Sequence, residues 1–143
     1  MDKQAQLEAF RKGIARFVTF NDTEWEVFTQ YLSFSSLSKK EHFAVKGKVC
    51  DYMCFITRGA VRYYHIKDGQ EITGYFSFEN EWMSAYKSFL KRTPNTNYIQ
   101  ALEETALVMI SYQNLQQMLN HPLLALKMER FGRLIAEYYI CCY

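Results

Sequence analysis

The sequence is poor in several features, and each shortage excludes a class of protein. Only 2 prolines and 6 glycines occur in 143 residues, which excludes collagen-like chains and Pro/Gly-rich disordered chains. No apolar run approaches the ~20 residues that cross a bilayer, and the N-terminus has no apolar signal-peptide core. The formal net charge is only +2, so charge alone predicts no strong affinity for nucleic acid. We therefore expect a cytoplasmic protein with no membrane partner.

Cysteine and histidine are too scattered for the sites that they commonly build. The four cysteines are Cys50, Cys54, Cys141 and Cys142, and the three histidines are His42, His65 and His121. Neither cysteine pair has zinc-finger spacing, and residues 1–49 hold none of the cysteines that an iron–sulfur sensor needs. The histidines lie in unrelated contexts, and no catalytic motif is present. The sequence predicts reduced thiols, no metal or other cofactor, and no enzyme.

What is abundant points to one compact core. Hydrophobic residues make up 49% of the chain and aromatic residues 17%, which excludes disorder. A chain of this length forms one sizeable core rather than two. We expect a single structural domain, in which residues 1–121 form helices and a β-roll and residues 122–143 form a last helix.

The middle of the chain, residues 42–78, predicts an antiparallel β core. Its segments are rich in Tyr, Phe, Val and Ile, and glycines separate them. Met53, Phe55 and Thr57 alternate with their neighbours, as expected for a strand whose side chains point to opposite faces. Asp68-Gly69 supplies the positive φ angles that a two-residue hairpin turn needs. The fold class is therefore mainly β with flanking helices, as a sandwich or jelly roll.

Flanking elements follow from periodicity and capping signals. Apolar spacing predicts a helix over 3–19, and Thr23 with Glu26 fits the capping box of a second helix that buries Trp25, Phe28 and Leu32. A polar stretch at 33–41 suits a connection or an edge strand. Later segments predict a short helix at 84–90, a loop at 91–96, strands at 98–102 and 106–111, and a helix at 113–120.

The last helix, from about Pro122 to Tyr143, carries a heptad-like apolar seam. Its members are Leu124, Met128, Phe131, Ile135, Tyr138 and Cys142. A second row, formed by Leu123, Leu126, Leu134 and Cys141, lies beside it. A helix with two apolar faces has two surfaces to cover. We expect one face to pack on the β core and the other to form a homodimer, and the predicted dimer-helix residues are those of the seam, Leu124, Met128, Phe131, Ile135 and Tyr138. The alternative is one wide stripe that packs entirely on the chain's own core.

A glycine-spaced pattern runs through the β core and continues beyond it. Its members are Gly47, Asp51, Met53, Phe55, Ile56, Gly59, Val61, Arg62, Asp68, Gly69, Ala101, Leu102, Glu103 and Leu115. With the order of elements, this pattern resembles the cyclic-nucleotide-binding domain of Crp/Fnr transcription regulators, over roughly residues 20–143. The aromatic-rich insert is similar to the divergent branch common in Bacteroidetes-type bacteria. The resemblance implies a double-stranded β-helix (jelly roll) followed by a long dimerisation helix.

The resemblance also implies where a ligand would bind. Members that bind cyclic AMP have a Gly-Glu pair and, after a short helix, Arg-Ser/Thr; the arginine binds the cyclic phosphate and the glutamate the ribose hydroxyl. Here these positions fall at Ser84-Ala85 and Asn95-Thr96, so only Thr96 is kept, and we do not expect cyclic AMP to bind in the usual way. The implied ligand-binding residues are Glu81, Ser84, Ala85, Tyr86, Lys87, Asn95 and Thr96. Lys87, Lys91 or Arg92 remain candidates to replace the arginine, and Glu79 or Glu81 the glutamate.

The sequence leaves two functions from different classes open. The first is the effector-sensing and dimerisation half of a Crp/Fnr-like regulator, whose effector is an unknown small molecule and which would bind DNA only through a helix-turn-helix that this sequence lacks. The second is a stand-alone interaction module that binds neither ligand nor DNA. A third option, a cupin-like metal enzyme, has only His65 and Glu71 in its favour.

Overall fold

A computed structural model describes residues 2–142 of the chain, with side chains as far as Tyr138. The helices are α1 (Lys3–Ile14), α2 (Asp22–Thr29), α3 (Tyr86–Lys91), α4 (Tyr112–Leu119) and α5 (Ala125–Cys142). The strands are β1 (Ser33–Leu37), β2 (His42–Ala44), β3 (Tyr52–Arg58), β4 (Ala60–Lys67), β5 (Gln70–Phe78), β6 (Trp82–Met83), β7 (Tyr98–Ala101) and β8 (Thr105–Ser111). They form two four-stranded sheets, in the orders β1-β8-β3-β6 and β2-β7-β4-β5, and every pair is antiparallel. The predicted jelly roll with flanking helices is confirmed.

The central hairpin forms as its turn residues predict. Lys67 pairs with Gln70, and Asp68 and Gly69 between them have φ angles of 53° and 77°. Two successive positive φ angles match the right-handed twist of the flanking strands. The polar stretch after α2 becomes β1 at the edge of its sheet. The short strand β6 has no counterpart among the predicted strands, because its pairing comes from distant β3 rather than from local alternation.

Strand β3 is buried on both faces. Residues 53–57 are all buried, although their alternation alone would fit a strand with one exposed face. The cause is α1, which lies directly on β3: a Cβ atom added at Gly13 would overlap the ring of Phe55. The hydroxyl of Thr57, buried under the helix, donates to the Gln6 side chain at 3.1 Å. The absence of a side chain at Gly13 thus sets how closely the helix approaches the sheet.

The first two helices differ in their ends from the sequence prediction. Helix α1 ends at Ile14 instead of continuing to residue 19. The capping box of α2 uses Asn21 and Glu24, two residues before the predicted pair of Thr23 and Glu26. Asn21 has the extended backbone of an N-cap, and its side chain accepts from the Glu24 N–H while the Glu24 carboxylate accepts from the Asn21 N–H. Both signals satisfy the same rule, and the structure forms the earlier of the two.

The heptad seam of α5 belongs to the chain's own core. Leu124, Met128, Phe131 and Ile135 are fully buried, and Tyr138 packs against the same core. The Phe131 ring lies 5.2 Å from that of Trp82 and 5.7 Å from that of Phe17. The prediction that the seam meets a second copy is corrected, because β6 and the segment after α1 already cover these side chains within the chain. The helix also begins at Ala125, three residues after the predicted start at Pro122.

The second apolar row of α5 faces outwards instead. Leu126 is 84% exposed, Leu123 is 46% exposed, and Leu134 is half-buried. The side chains of Cys141 and Cys142, which the predicted rows included, lie outside the described part of the chain. An exposed face is therefore present on α5, and it is not the one that the heptad spacing indicated.

An ion pair joins the start of α2 to α5 and predicts a pH dependence. The Lys127 ammonium donates to the Glu24 carboxylate at 2.6 Å. This hydrogen bond, followed by the one from the Asn21 backbone, lowers the pKa of Glu24. A lowered folded-state pKa stabilises the fold above the unfolded value of about 4.3, and this contribution is lost as the pH falls through the folded value. Urea unfolding should therefore show Glu24→Gln to be less stable than the wild type at pH 7, with the difference vanishing at acidic pH.

Lys127→Met provides the matched test of this ion pair, because it removes the ammonium and leaves the carboxylate in place. Its effect should likewise disappear at low pH. A Glu24→Gln difference that stays constant from pH 7 to pH 3 would mean that packing, rather than the charge of Glu24, stabilises this junction.

Candidate ligand-binding groove

A groove with a mainly apolar lining lies between the α3 region and α5. Its volume is about 900 Å³. It is lined by Ala85, Tyr86, Lys87, Ser88, Leu90, Lys91, Thr93, Pro94, Asn95, Thr96, Asn97 and Ala136. All but Ala136 come from one continuous segment, which contains α3 and the loop that follows it. The groove therefore lies between a cassette-like insert and the last helix.

Buried hydrogen bonds hold this segment against the roll. The hydroxyl of Ser88 accepts from the Cys50 N–H at 2.9 Å and donates to the Thr93 carbonyl at 2.6 Å. The backbone of Asn95 pairs with both Lys48 and Gly47, at 2.8 Å each. The insert thus has fixed attachments at its helix and at its loop, which makes the groove a preformed site.

Five of the seven predicted ligand residues line the groove and two do not. Those that line it are Ala85, Tyr86, Lys87, Asn95 and Thr96. The Ser84 side chain is fully buried, and its hydroxyl donates to the Tyr52 carbonyl at 2.8 Å. The Glu81 carboxylate accepts from the Phe78 N–H at 2.6 Å in the turn before β6. Both residues have structural partners, and neither contributes to the cavity wall.

Of the three cations considered as replacements for the missing arginine, Lys87 and Lys91 line the groove and Arg92 does not. The Arg92 guanidinium donates to the Cys50 carbonyl at 2.9 Å and forms an ion pair with Asp51. It also lies 4.3 Å from the ring centroid of Tyr112. Arg92 therefore attaches the end of α3 to the start of β3 and to α4, and it is not placed to bind a ligand in this cavity.

Replacing Arg92 should cost stability. Its backbone is left-handed, with φ of 58° at the end of α3, so the side-chain contacts hold a conformation that most residues avoid. Hydrogen bonds to a charged group, discounted for partial exposure, predict that Arg92→Ala lowers the free energy of unfolding by about 1–2 kcal/mol. Chemical denaturation would measure it. Lys91→Ala is the control, and an equal loss from that exposed neighbour would contradict the role given to Arg92.

A half-buried phenol forms part of the groove wall. Burial raises the pKa of Tyr86 to about 12, so the phenol is uncharged over the physiological range. Its ring lies 6.2 Å from that of Phe89, which anchors α3 in the core. The wall thus offers an uncharged aromatic surface next to two lysines.

The sequence analysis did not predict several of the residues that line the groove. For some of them the sequence contains a feature that could have identified them, and for one it does not. Leu90, Pro94 and Asn97 lie inside the insert that the resemblance marked, so taking the whole insert would have included them. Ala136 lies about 40 residues further on, and nothing in its neighbourhood distinguishes it from other alanines. It enters the groove because α5 folds back over the insert.

The other chemistries considered from the sequence find no assembled site among the described residues. No three His, Cys, Asp or Glu side chains in that part of the chain come close enough to hold a metal ion. His65 and Glu71 lie on opposite faces of the hairpin, because His65 pairs with Ile72 and Glu71 with Ile66. Cys50 and Cys54 are free and buried, and burial raises the pKa of the Cys54 thiol. Between residues 2 and 142, no helix has the length and apolar character that a membrane span requires.

Solved structures with the same architecture support the fold. A cyclic nucleotide-binding domain from Methylobacillus flagellatus superposes with a TM-score of 0.81 at 19% identity, covering 96% of this chain and 80% of its own. The N-terminal domain of a transcriptional regulator from Streptomyces coelicolor gives 0.68 at 22% identity, with 85% and 89% covered. The catabolite activator protein of Thermus thermophilus gives 0.67 at 18% identity, with 90% of this chain and 60% of that one covered. At these identities the likeness shows the fold alone.

The family itself is shown by sequence. The cyclic nucleotide-binding domain family matches residues 34–121, which is more than half of the chain. No curated protein has a significantly similar sequence. The match starts in β1 and ends just after α4, so it includes both sheets and the whole insert that lines the groove. The chain therefore belongs to the cyclic nucleotide-binding domain family, and its structural neighbours include Crp/Fnr-type regulators.

Proposed function

We propose that the chain is the effector-sensing domain of a Crp/Fnr-like transcription regulator and not an enzyme. The observation that carries this proposal is the groove, which has the family's insert on one side and α5 on the other. A ligand there contacts both the last helix and the insert, which is hydrogen-bonded to the roll. Its binding energy then depends on the position of α5, which is the condition for a ligand to shift a conformational equilibrium.

Cyclic AMP in its usual pose is not the effector in this proposal. The part of the lining that the structure describes contains no arginine and no carboxylate. A charge-assisted hydrogen bond contributes about 1.5–3 kcal/mol, so the phosphate and the ribose would each lose a principal contact. The lysines can attract the phosphate as point charges, but they do not reproduce the fork of a guanidinium.

A homodimer is part of the proposal, with a different face from the heptad seam. Leu126 on α5 is 84% exposed, and Leu123 just before that helix is 46% exposed. Light scattering should give twice the chain mass for the wild type and the single mass for Leu126→Glu. Leu102→Glu, which makes the same change at an exposed position after β7, should leave the dimer intact. A monomeric wild type would contradict the homodimer.

A stand-alone interaction module is the second candidate, favoured by the loss of both charged anchors from the insert. The two functions predict different continuations of the encoding reading frame. If the reading frame continues into a helix-turn-helix, the regulator function is supported, and the helix-turn-helix would bind the DNA. A frame that encodes no such segment supports the interaction module.

A thermal-shift screen of a metabolite library tests the sensor directly. At least one compound should raise the Tm in a concentration-dependent way, as mass action requires. Ala136→Trp, which fills the groove from α5, should abolish the shift, whereas Ala136→Ser should retain it. A library without any stabilising compound would favour the interaction module.

A further inference from the structure

We propose that the groove takes a small organic anion with one acidic head and an apolar body, rather than a nucleotide. The inference rests on the proposed function, since it takes this groove to be the effector site. It follows from the charges of the groove, from its apolar wall and from the partners that its polar groups already have.

The charged groups of the groove are all of one sign. Lys87 and Lys91 stand one helical turn apart on α3, a spacing that places both side chains on the same face. Neither ammonium pairs with an acid among the described residues, whose ion pairs involve other cations. Two acids next to the insert have other partners: the Glu81 carboxylate accepts from the Phe78 N–H, and Asp51 forms an ion pair with Arg92. An acidic head would therefore meet two unpaired cations and no opposing carboxylate.

The rest of the wall suits an apolar body. Ala85, Leu90, Pro94 and Ala136 line it, together with the uncharged Tyr86. Leu90 lies on the cavity side of α3 and is 42% exposed, while Phe89 anchors another face of the helix in the core. Covering that side chain removes apolar surface from water and favours binding. The neutral phenol of Tyr86 does not repel an anion, because burial keeps its pKa far above physiological pH.

The polar groups of the wall do not form a sugar site. Members of the family that bind cyclic AMP hold the ribose hydroxyl with a glutamate, and the described lining contains no carboxylate. The amide nitrogen of Asn95 already donates to the Asn97 carbonyl at 2.6 Å, and the Ser88 hydroxyl bridges Cys50 and Thr93. The ligand class that matches this wall carries its charge at one end and presents apolar surface over the rest of its length.

Isothermal titration with four probes tests the class of ligand. Octanoate and octyl phosphate share an apolar body and differ in the acidic head, octanamide keeps the body without the charge, and cyclic AMP represents the nucleotides. We expect octanoate or octyl phosphate to bind, and the one that binds identifies the head group. Octanamide should bind at least about fivefold more weakly, and added salt should weaken the anion but not the amide.

The lysines are tested by Lys87→Gln with Lys91→Gln, which should weaken the binding of the anion about tenfold and leave that of octanamide unchanged. The control is Lys12→Gln with Lys67→Gln, which lowers the net charge equally at exposed positions outside the groove and should retain full affinity. Ala136→Trp should abolish binding of every probe.

The possible failures separate this inference from the proposed function. If cyclic AMP binds and the octyl anions do not, or if octanamide binds as tightly as octanoate, the inference is overturned while the groove remains a sensing site. If the anions bind equally to Ala136→Trp, they bind elsewhere and the inference is again overturned. If none of the four probes binds, the inference is also overturned. The thermal-shift screen of the metabolite library then tests separately whether the domain is a sensor.

Discussion

Replacing Phe131 and Ile135 together by aspartate should unfold the domain rather than separate a dimer. Both side chains are fully buried, and the Phe131 ring contacts those of Phe17 and Trp82. Large-to-small substitutions at such sites cost about 3–5 kcal/mol for phenylalanine and about 2–5 kcal/mol for isoleucine. Burial of two carboxylates adds to this cost. The sum is comparable with the whole stability of a domain, about 5–15 kcal/mol.

Circular dichroism and a thermal melt would measure the loss. The matched control is Leu123→Asp with Leu126→Asp, which places two aspartates on the exposed row at the start of α5. That variant should keep the native spectrum and a cooperative melt. If the Phe131/Ile135 variant were a folded monomer with the wild-type Tm, the seam would face a second copy after all.

Gly59→Ala should have the second largest effect. Gly59 connects β3 to β4 with φ of 104°, a conformation that L-residues rarely adopt. A Cβ atom there would lie 2.7 Å from the Glu104 carbonyl oxygen and 2.7 Å from the Thr105 Cα. These are backbone atoms at the start of β8, so they cannot rotate away. Backbone strain and overpacking together predict a loss of about 2–5 kcal/mol, measurable by urea unfolding.

Gly47→Ala separates the two causes. Gly47 has a similar φ of 91° but no atom within 4 Å of an added Cβ, so it reports the backbone strain alone, about 1–2 kcal/mol. The difference between the two variants isolates the collision with β8. Equal losses would mean that the neighbouring backbone yields at no cost and that the φ angle explains both.

The β core was predictable because its signals are local. The alternation in β3 and β4 and the Asp68-Gly69 turn depend on neighbours in the chain, and the structure has both where the sequence indicated. The glycine-spaced pattern then connected these strands to a known fold, and the family match agrees. The outline of the insert followed from the same resemblance, which is why five of the seven predicted residues line the groove.

The ends of helices were less predictable, because equivalent signals compete. The sequence offers two possible capping boxes for α2, Asn21 with Glu24 and Thr23 with Glu26, and only the first forms. Strand β6, two residues long, exists because Cys54 and Phe55 of β3 pair with it. Such elements are defined by partners that sequence periodicity does not reveal.

By itself, the sequence determined the β-roll, its hairpin and the amphipathic character of α5, since hydrophobic spacing and turn chemistry act over a few residues. Tertiary structure alone decided which partner each apolar face meets. The seam through Phe131 is equally suited to a second helix or to Trp82, and the fold brings Trp82. It also decided that Arg92 holds Asp51 while Lys87 lines the groove with Ala136. Spacing defines a face, but the position of distant elements in space decides what the face contacts.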